Sequence, residues 1–211
     1  MSGILDLLNS PMGKQIIDGV SSQTGQSQDK TGNLLSMAMP VLMGAMQRNA
    51  STPEGASGLL NALNNNHSGG ILDNLGGLFE GGVDEEVTTD GAGILGHVLG
   101  NKQPAVESAL SQKSGIDAGS VAQILKVAAP ILMGVLGKQA SQNNVSDANG
   151  LTDMLGNISG AAKGSKEQSL LESFLDADGD GSVIDDVAGM LLNSSNKQGG
   201  IGGMLGGLFG K

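Results

Sequence analysis

Residues 121–140 read VAQILKVAAPILMGVLGKQA, and this stretch decides the fold. Val121, Ile124, Leu125, Ala128, Ile131, Leu132 and Val135 recur at helical spacing and form one wide apolar face. Val127 and Met133 lie off that face, so the helix is apolar nearly all round. Such a helix must be covered on most sides, and it is the expected centre of a bundle. Pro130 removes a backbone donor and crowds the carbonyl of Lys126, which predicts a kink. Gly134, four residues on, offers a place where another backbone can approach closely.

The same pattern occurs ninety positions earlier, in TGNLLSMAMPVLMGAMQRNA, residues 31–50. Seven of the twenty aligned positions are identical, among them Pro40/Pro130, Met43/Met133 and Gly44/Gly134. Upstream, Gly3–Leu5 matches Gly93–Leu95 and Gly25 matches Gly115 without a gap. Downstream, GLLNAL (58–63) matches GLTDML (150–155) after a two-residue insertion. Collinearity over this length signals duplication, and units of this size are expected to be two homologous helical bundles, not a solenoid.

Within the second unit, Val106 and Leu110 sit at helical spacing, Gly115 is a stop, and Asp117 can cap the next helix. Third helices are expected at 54–64 and 147–159. Alternation of β-branched residues is scarce, so the expected class is all-α without sheet. The expected organisation is unit one at 1–80, an acidic, glycine-rich solvated linker at 81–92, and unit two at 93–163. A helix–loop–helix follows at 164–195, then a glycine-rich apolar tail at 196–211. The tail echoes residues 69–79, with Ile71/Ile201, Leu75/Leu205 and Leu78/Leu208 in register. It reads either as a frayed end or as a segment that docks on the chain itself or on a partner.

The run SALSQKSGIDAGSVAQILKVAAPILMGVLG resembles the bacterial domain-of-unknown-function family 937, and the twelve residues LDADGDGSVIDD resemble a segment of some members. The resemblance covers both repeats and implies an all-helical fold of bacterial origin. It implies no activity. Unit one departs from the pattern, with SQTGQSQDKTG where unit two has SQKSGIDAGS.

The acidic stretch LDADGDGSVIDD, residues 175–186, is the candidate metal site. Asp176, Asp178, Asp180 and Gly181 occupy positions 1, 3, 5 and 6 of an EF-hand-type loop, where carboxylates converge and glycine makes the sharp turn. Ser182 would supply a backbone carbonyl. Position 12 requires a bidentate Glu and holds Val187, so Asp185 or Asp186 would have to close a shortened loop. The expected ligand is one Ca²⁺, because a flexible loop suits its large oxygen shell better than Mg²⁺. The competing reading is a metal-free acidic turn in which Asp185 caps a helix.

Other chemistry finds less support. The net charge of −10 is spread over the whole chain, so a duplex-DNA or anionic-membrane binder working by phosphate neutralisation is not expected. SALSQKSGIDAGSVAQIL has the outline of a helix-turn-helix, the alternative reading, but its second helix leads with a carboxylate and carries one basic residue. His67 stands in the polar stretch NNNHSGG and reads as a solvated loop residue; His97 reads as lying on a helix face. No nucleotide-binding glycine motif is present, and an enzyme is not expected. Met37, Met39, Met43 and Met46 follow the core face, which a chain with 1% aromatic residues must build from aliphatic and methionine side chains; the alternative reading is a promiscuous binding groove. The apolar runs MAMPVLMGAM and VAAPILMGVLG are short for a bilayer and each holds a proline, so no membrane span is expected. The N-terminal stretch lacks a basic region followed by a long apolar core, so the expected location is cytoplasmic. The reading is therefore a non-enzymatic structural or interaction module with a calcium-type loop, able to self-associate through its tail, its protein partner unspecified.

Overall fold

The structure, a computed structural model, describes residues 4–80 and 82–162. These residues are mostly helical and include no strand. Helices α1 (Ile4–Asn9), α2 (Pro11–Thr24) and α3 (Gln28–Ala50) are followed by α4 (Pro53–Asn61), which runs into a turn of π-helix at Ala62–Asn66. Two short helices, α5 (Gly70–Asp73) and α6 (Leu75–Phe79), come next. Then come α7 (Glu85–Leu99), α8 (Gln103–Ser114), α9 (Ala118–Gln142) and α10 (Ala148–Ala162).

Local chemistry sets the helix ends. Ser10, Ser27, Thr52 and Asp117 each accept a hydrogen bond from the backbone amide three residues on, which satisfies one free donor of the first turn. At Asp117 the hydrogen bonds with Ser120 hold the carboxyl below its ordinary pKa. Gly25 and Gly115 close α2 and α8 in the left-handed conformation, with φ of 66° and 67°. The two turns lie side by side: Gln26 Nε2 donates to Ser120 Oγ at 3.3 Å, and Lys30 Nζ to the Gly115 carbonyl at 3.4 Å.

The two long helices are the centre. In α9 Val121, Ile124, Leu125, Ala128, Ile131 and Leu132 are buried; in α3 Leu34, Leu35, Ala38, Leu42 and Met43 are. Both helices run unbroken through their prolines. Their coverings cross over. Helix α10, which follows α9, packs on α3, α4 and α1, whereas the π-turn and α5, which follow α3 and α4, pack on α9. Helix α2 touches both α3 and α9, and so does α8. The buried residues of the two halves accordingly form one cluster.

Three expectations change. The stretch 81–92, read as a solvated linker, is helical from Glu85 onward, and Gly91 within it is buried. Acidic residues in the first turn favour that helix start. Gly91 is needed because a Cβ there would stand 1.7 Å from the Lys126 carbonyl oxygen. Second, a close backbone approach is expected at both Gly134 and Gly44; at Gly134 the neighbour is a side chain, and at Gly44 there is none. A Cβ on Gly134 would meet Ile71 Cγ2 at 2.5 Å, while Gly44 is exposed with nothing within 4 Å. Third, α9 is 25 residues long and has the length and composition to cross a membrane, although its apolar run reads as short. In the fold 67% of its most apolar window is buried, which is how a core helix passes the same test.

Candidate functional site

The calcium-type residues Asp176, Asp178, Asp180, Ser182, Asp185 and Asp186 lie outside the described residues, as do the helix–loop–helix at 164–195 and the tail at 196–211. Among the described residues no group of three or more His, Asp or Glu side chains is placed to share a metal ion.

The described residues offer instead a groove of about 420 Å³. Its floor is aliphatic and thioether: Met46 from α3, Met133 from α9, Leu59 from α4, and Ile94 and Val98 from α7. The rim carries Asn49, Asn61 and Asn66 together with His67, Asp90 and His97. Asp90, Ile94 and His97 are four and seven residues apart, which puts all three on one face of α7. The opposite wall is the π-turn, whose extra residue per turn displaces the backbone at Asn66 and delivers His67 across the groove.

His67 is thereby corrected from a solvated loop residue. Its side chain is 9% exposed, and its Nε2 lies 3.7 Å from Asp90 Oδ1, which is 43% exposed. The contact is an ion pair when the imidazole is protonated, and it is too long for a hydrogen bond. His97, read as a helix-face residue, is exposed on α7, where its carbonyl accepts from Asn49 Nδ2 at 3.3 Å. Wall and floor fit closely at Gly137, where a Cβ would lie 1.8 Å from the His67 carbonyl oxygen. The sequence reading offered a methionine-lined groove only as the alternative to core packing and did not place it; of those methionines Met46 lines the groove. A further signal was Gly137 replacing a side chain found at the matching position, Gln47.

The lining residues can bury an apolar side chain and offer amide donors, amide acceptors and one carboxylate around it. They include no serine, threonine, cysteine or lysine; the titratable side chains are His67, Asp90 and His97.

The profile of the family described as bacterial protein of unknown function (DUF937) matches residues 6–139, a span that contains every groove residue. No curated protein and no solved structure matches the chain.

Proposed function

Because the chain belongs to the bacterial family of unknown function DUF937, whose description carries no activity, we propose from its geometry that it is a non-enzymatic interaction module. Its two halves are read as homologous helical units folded over one core, the second sending α10 onto α3 and the first sending the π-turn and α5 onto α9. The groove carries this reading. An aliphatic floor ringed by asparagines and one half-exposed carboxylate suits an amphipathic peptide helix that inserts an aliphatic side chain and turns a basic residue towards Asp90. The net charge of −10 favours a cationic partner segment in the same way.

The test uses the methionines as reporters. With ¹³C-labelled methionine methyls, a leucine–lysine amphipathic peptide is expected to shift Met46 and Met133 saturably, and Ile94→Glu in the groove wall is expected to abolish the shift. No shift at millimolar peptide, or an equal shift in the variant, sinks the reading.

The calcium-type loop belongs to the same proposal and rests on sequence. Asp176, Asp178 and Asp180 take one Ca²⁺, with Asp185 or Asp186 closing the shell. Calorimetry is expected to show one site per chain that disappears in Asp178→Ala with Asp180→Ala. Absence of heat at millimolar Ca²⁺ leaves the acidic turn. The alternative class, a helix-turn-helix regulator, has less support: Val121, Ile124 and Leu125 of its reading helix are buried, and the exposed start offers Asp117, Ala118 and Gly119.

A further inference from the structure

Helix α9 is covered along a stripe that α3, its sequence counterpart, leaves bare. Val127, Pro130 and Gly134 are buried, whereas Met37 and Pro40 are half-buried and Gly44 is exposed. Over Gly134 the cover is the start of the segment GGILDNLGGLF, residues 69–79: α5 packs on α9, and α6 packs on α2. Gly69, with φ of 108°, brings its backbone against Lys138; the ideal Cβ of Gly69 would lie 3.1 Å from Lys138 Cβ and 3.5 Å from the Gly134 carbonyl oxygen. Ile71 and Leu72 lie over Gly134.

The chain contains a second version of that segment, GGIGGMLGGLF at 199–209, identical at eight of eleven positions. The stripe on α3 likewise repeats the one on α9: Pro40 for Pro130, Gly44 for Gly134, Arg48 for Lys138. The second segment also starts from the right place. It follows α10, and α10 packs on α3. Residues 163–198 lie between them, and at roughly 3.3–3.6 Å per extended residue they can reach any point on α3.

We infer that residues 199–209 dock on the exposed stripe of α3, with Ile201 over Gly44 as Ile71 lies over Gly134. The occupant is the chain's own segment, because the complementary pair of surfaces already exists once in the same molecule. Gly202 stands where Leu72 lies, so Ile201 carries the apolar contact with α3; Leu205 corresponds to Leu75 of α6, which packs on α2. The inference rests on the two-unit reading above.

The chain has no cysteine, which makes paired cysteines a clean probe. A disulfide requires Cβ atoms about 3.5–4.5 Å apart. Three double variants of the full chain are compared under mild oxidation: Gly134→Cys with Ile71→Cys, Gly44→Cys with Ile201→Cys, and Gly44→Cys with Asn193→Cys. The first reports the docking seen in the fold. The second is expected to close within one chain at least about tenfold faster than the third, which measures tethering alone. If the first pair fails to close, the two-unit reading falls with the inference. If the first closes and the second matches the third, or yields only linked dimers, the intramolecular docking is overturned. In the cysteine-free chain, Gly44→Arg is expected to remove amide-exchange protection from 199–209. It should leave α9 protected, since nothing lies within 4 Å of a Cβ at Gly44 in the remainder of the fold. Unchanged exchange at 199–209 in that variant also overturns the docking.

Discussion

Leu35→Ala and Leu125→Ala are each expected to lower unfolding free energy by about 2–5 kcal/mol, the range for truncating a fully buried leucine. Both side chains are 0% exposed and occupy matching places in α3 and α9. The form of the result matters as much as its size. The buried residues make one cluster, with α2 and α8 each touching both long helices and α10 reaching back to α3. A cavity in either half therefore weakens the whole core. Denaturant titrations followed by helix ellipticity and by methionine methyl resonances of each half should give one coincident transition, shifted in both variants. Two separable transitions, with only one moved by each variant, would mean that the halves fold as independent bundles and that the crossed packing is wrong.

Gly91→Ala should destabilise the protein by about 1–3 kcal/mol, the usual cost of forcing atoms into a filled site. The new methyl would fall 1.7 Å from the Lys126 carbonyl oxygen and 2.6 Å from its carbon, both backbone atoms that cannot swing aside. The site has a chemical logic. Pro130 has no N–H to give the carbonyl four residues before it, so the Lys126 oxygen lacks its helical donor. Where a side chain would stand, Gly91 presents a Cα hydrogen to that oxygen, a weak donor that partly replaces the lost one. Gly96 on the same helix is the control. It is exposed with nothing within 4 Å, so Gly96→Ala should raise stability by about 0.5–1 kcal/mol through helix propensity alone. Thermal melts of the two variants should move in opposite directions. If both rise, α7 does not press on α9 at Lys126.

Periodicity alone identified α9 as buried and placed α3 beside it in kind, because an all-round apolar helix has no other stable place in water. The helix ends were equally legible. Asp117 and the left-handed Gly115 act through atoms within three or four residues, and local chemistry is written locally. The all-α class followed from the same signals, and so did the family resemblance that the match over residues 6–139 bears out. Reading failed where a residue's role depended on a distant one. Glu85–Leu99 has the glycines and acids of a linker, yet its helix holds because Gly91 fits a carbonyl thirty-five positions away. His67 sits among asparagines and looks solvated, but a π-turn carries it under α7 to Asp90. Gly44 and Gly134 both follow Leu-Met in sequence and differ in burial, because Ile71 covers one of them.

What the sequence by itself determined was therefore which segments become helices, where they stop, and which two of them must be buried. What only the tertiary structure decided was which surfaces those helices share: the crossed packing of the halves, the groove between α7 and the π-turn, and the bare stripe of α3. Propensity, capping and amphipathic period act over one or two turns of chain and leave a trace in composition. Packing joins residues by shape and distance in space, and many arrangements of the same helices would bury the same apolar faces. The close approaches at Gly91 and Gly137 are met by the arrangement in which α7 and the π-turn press on α9.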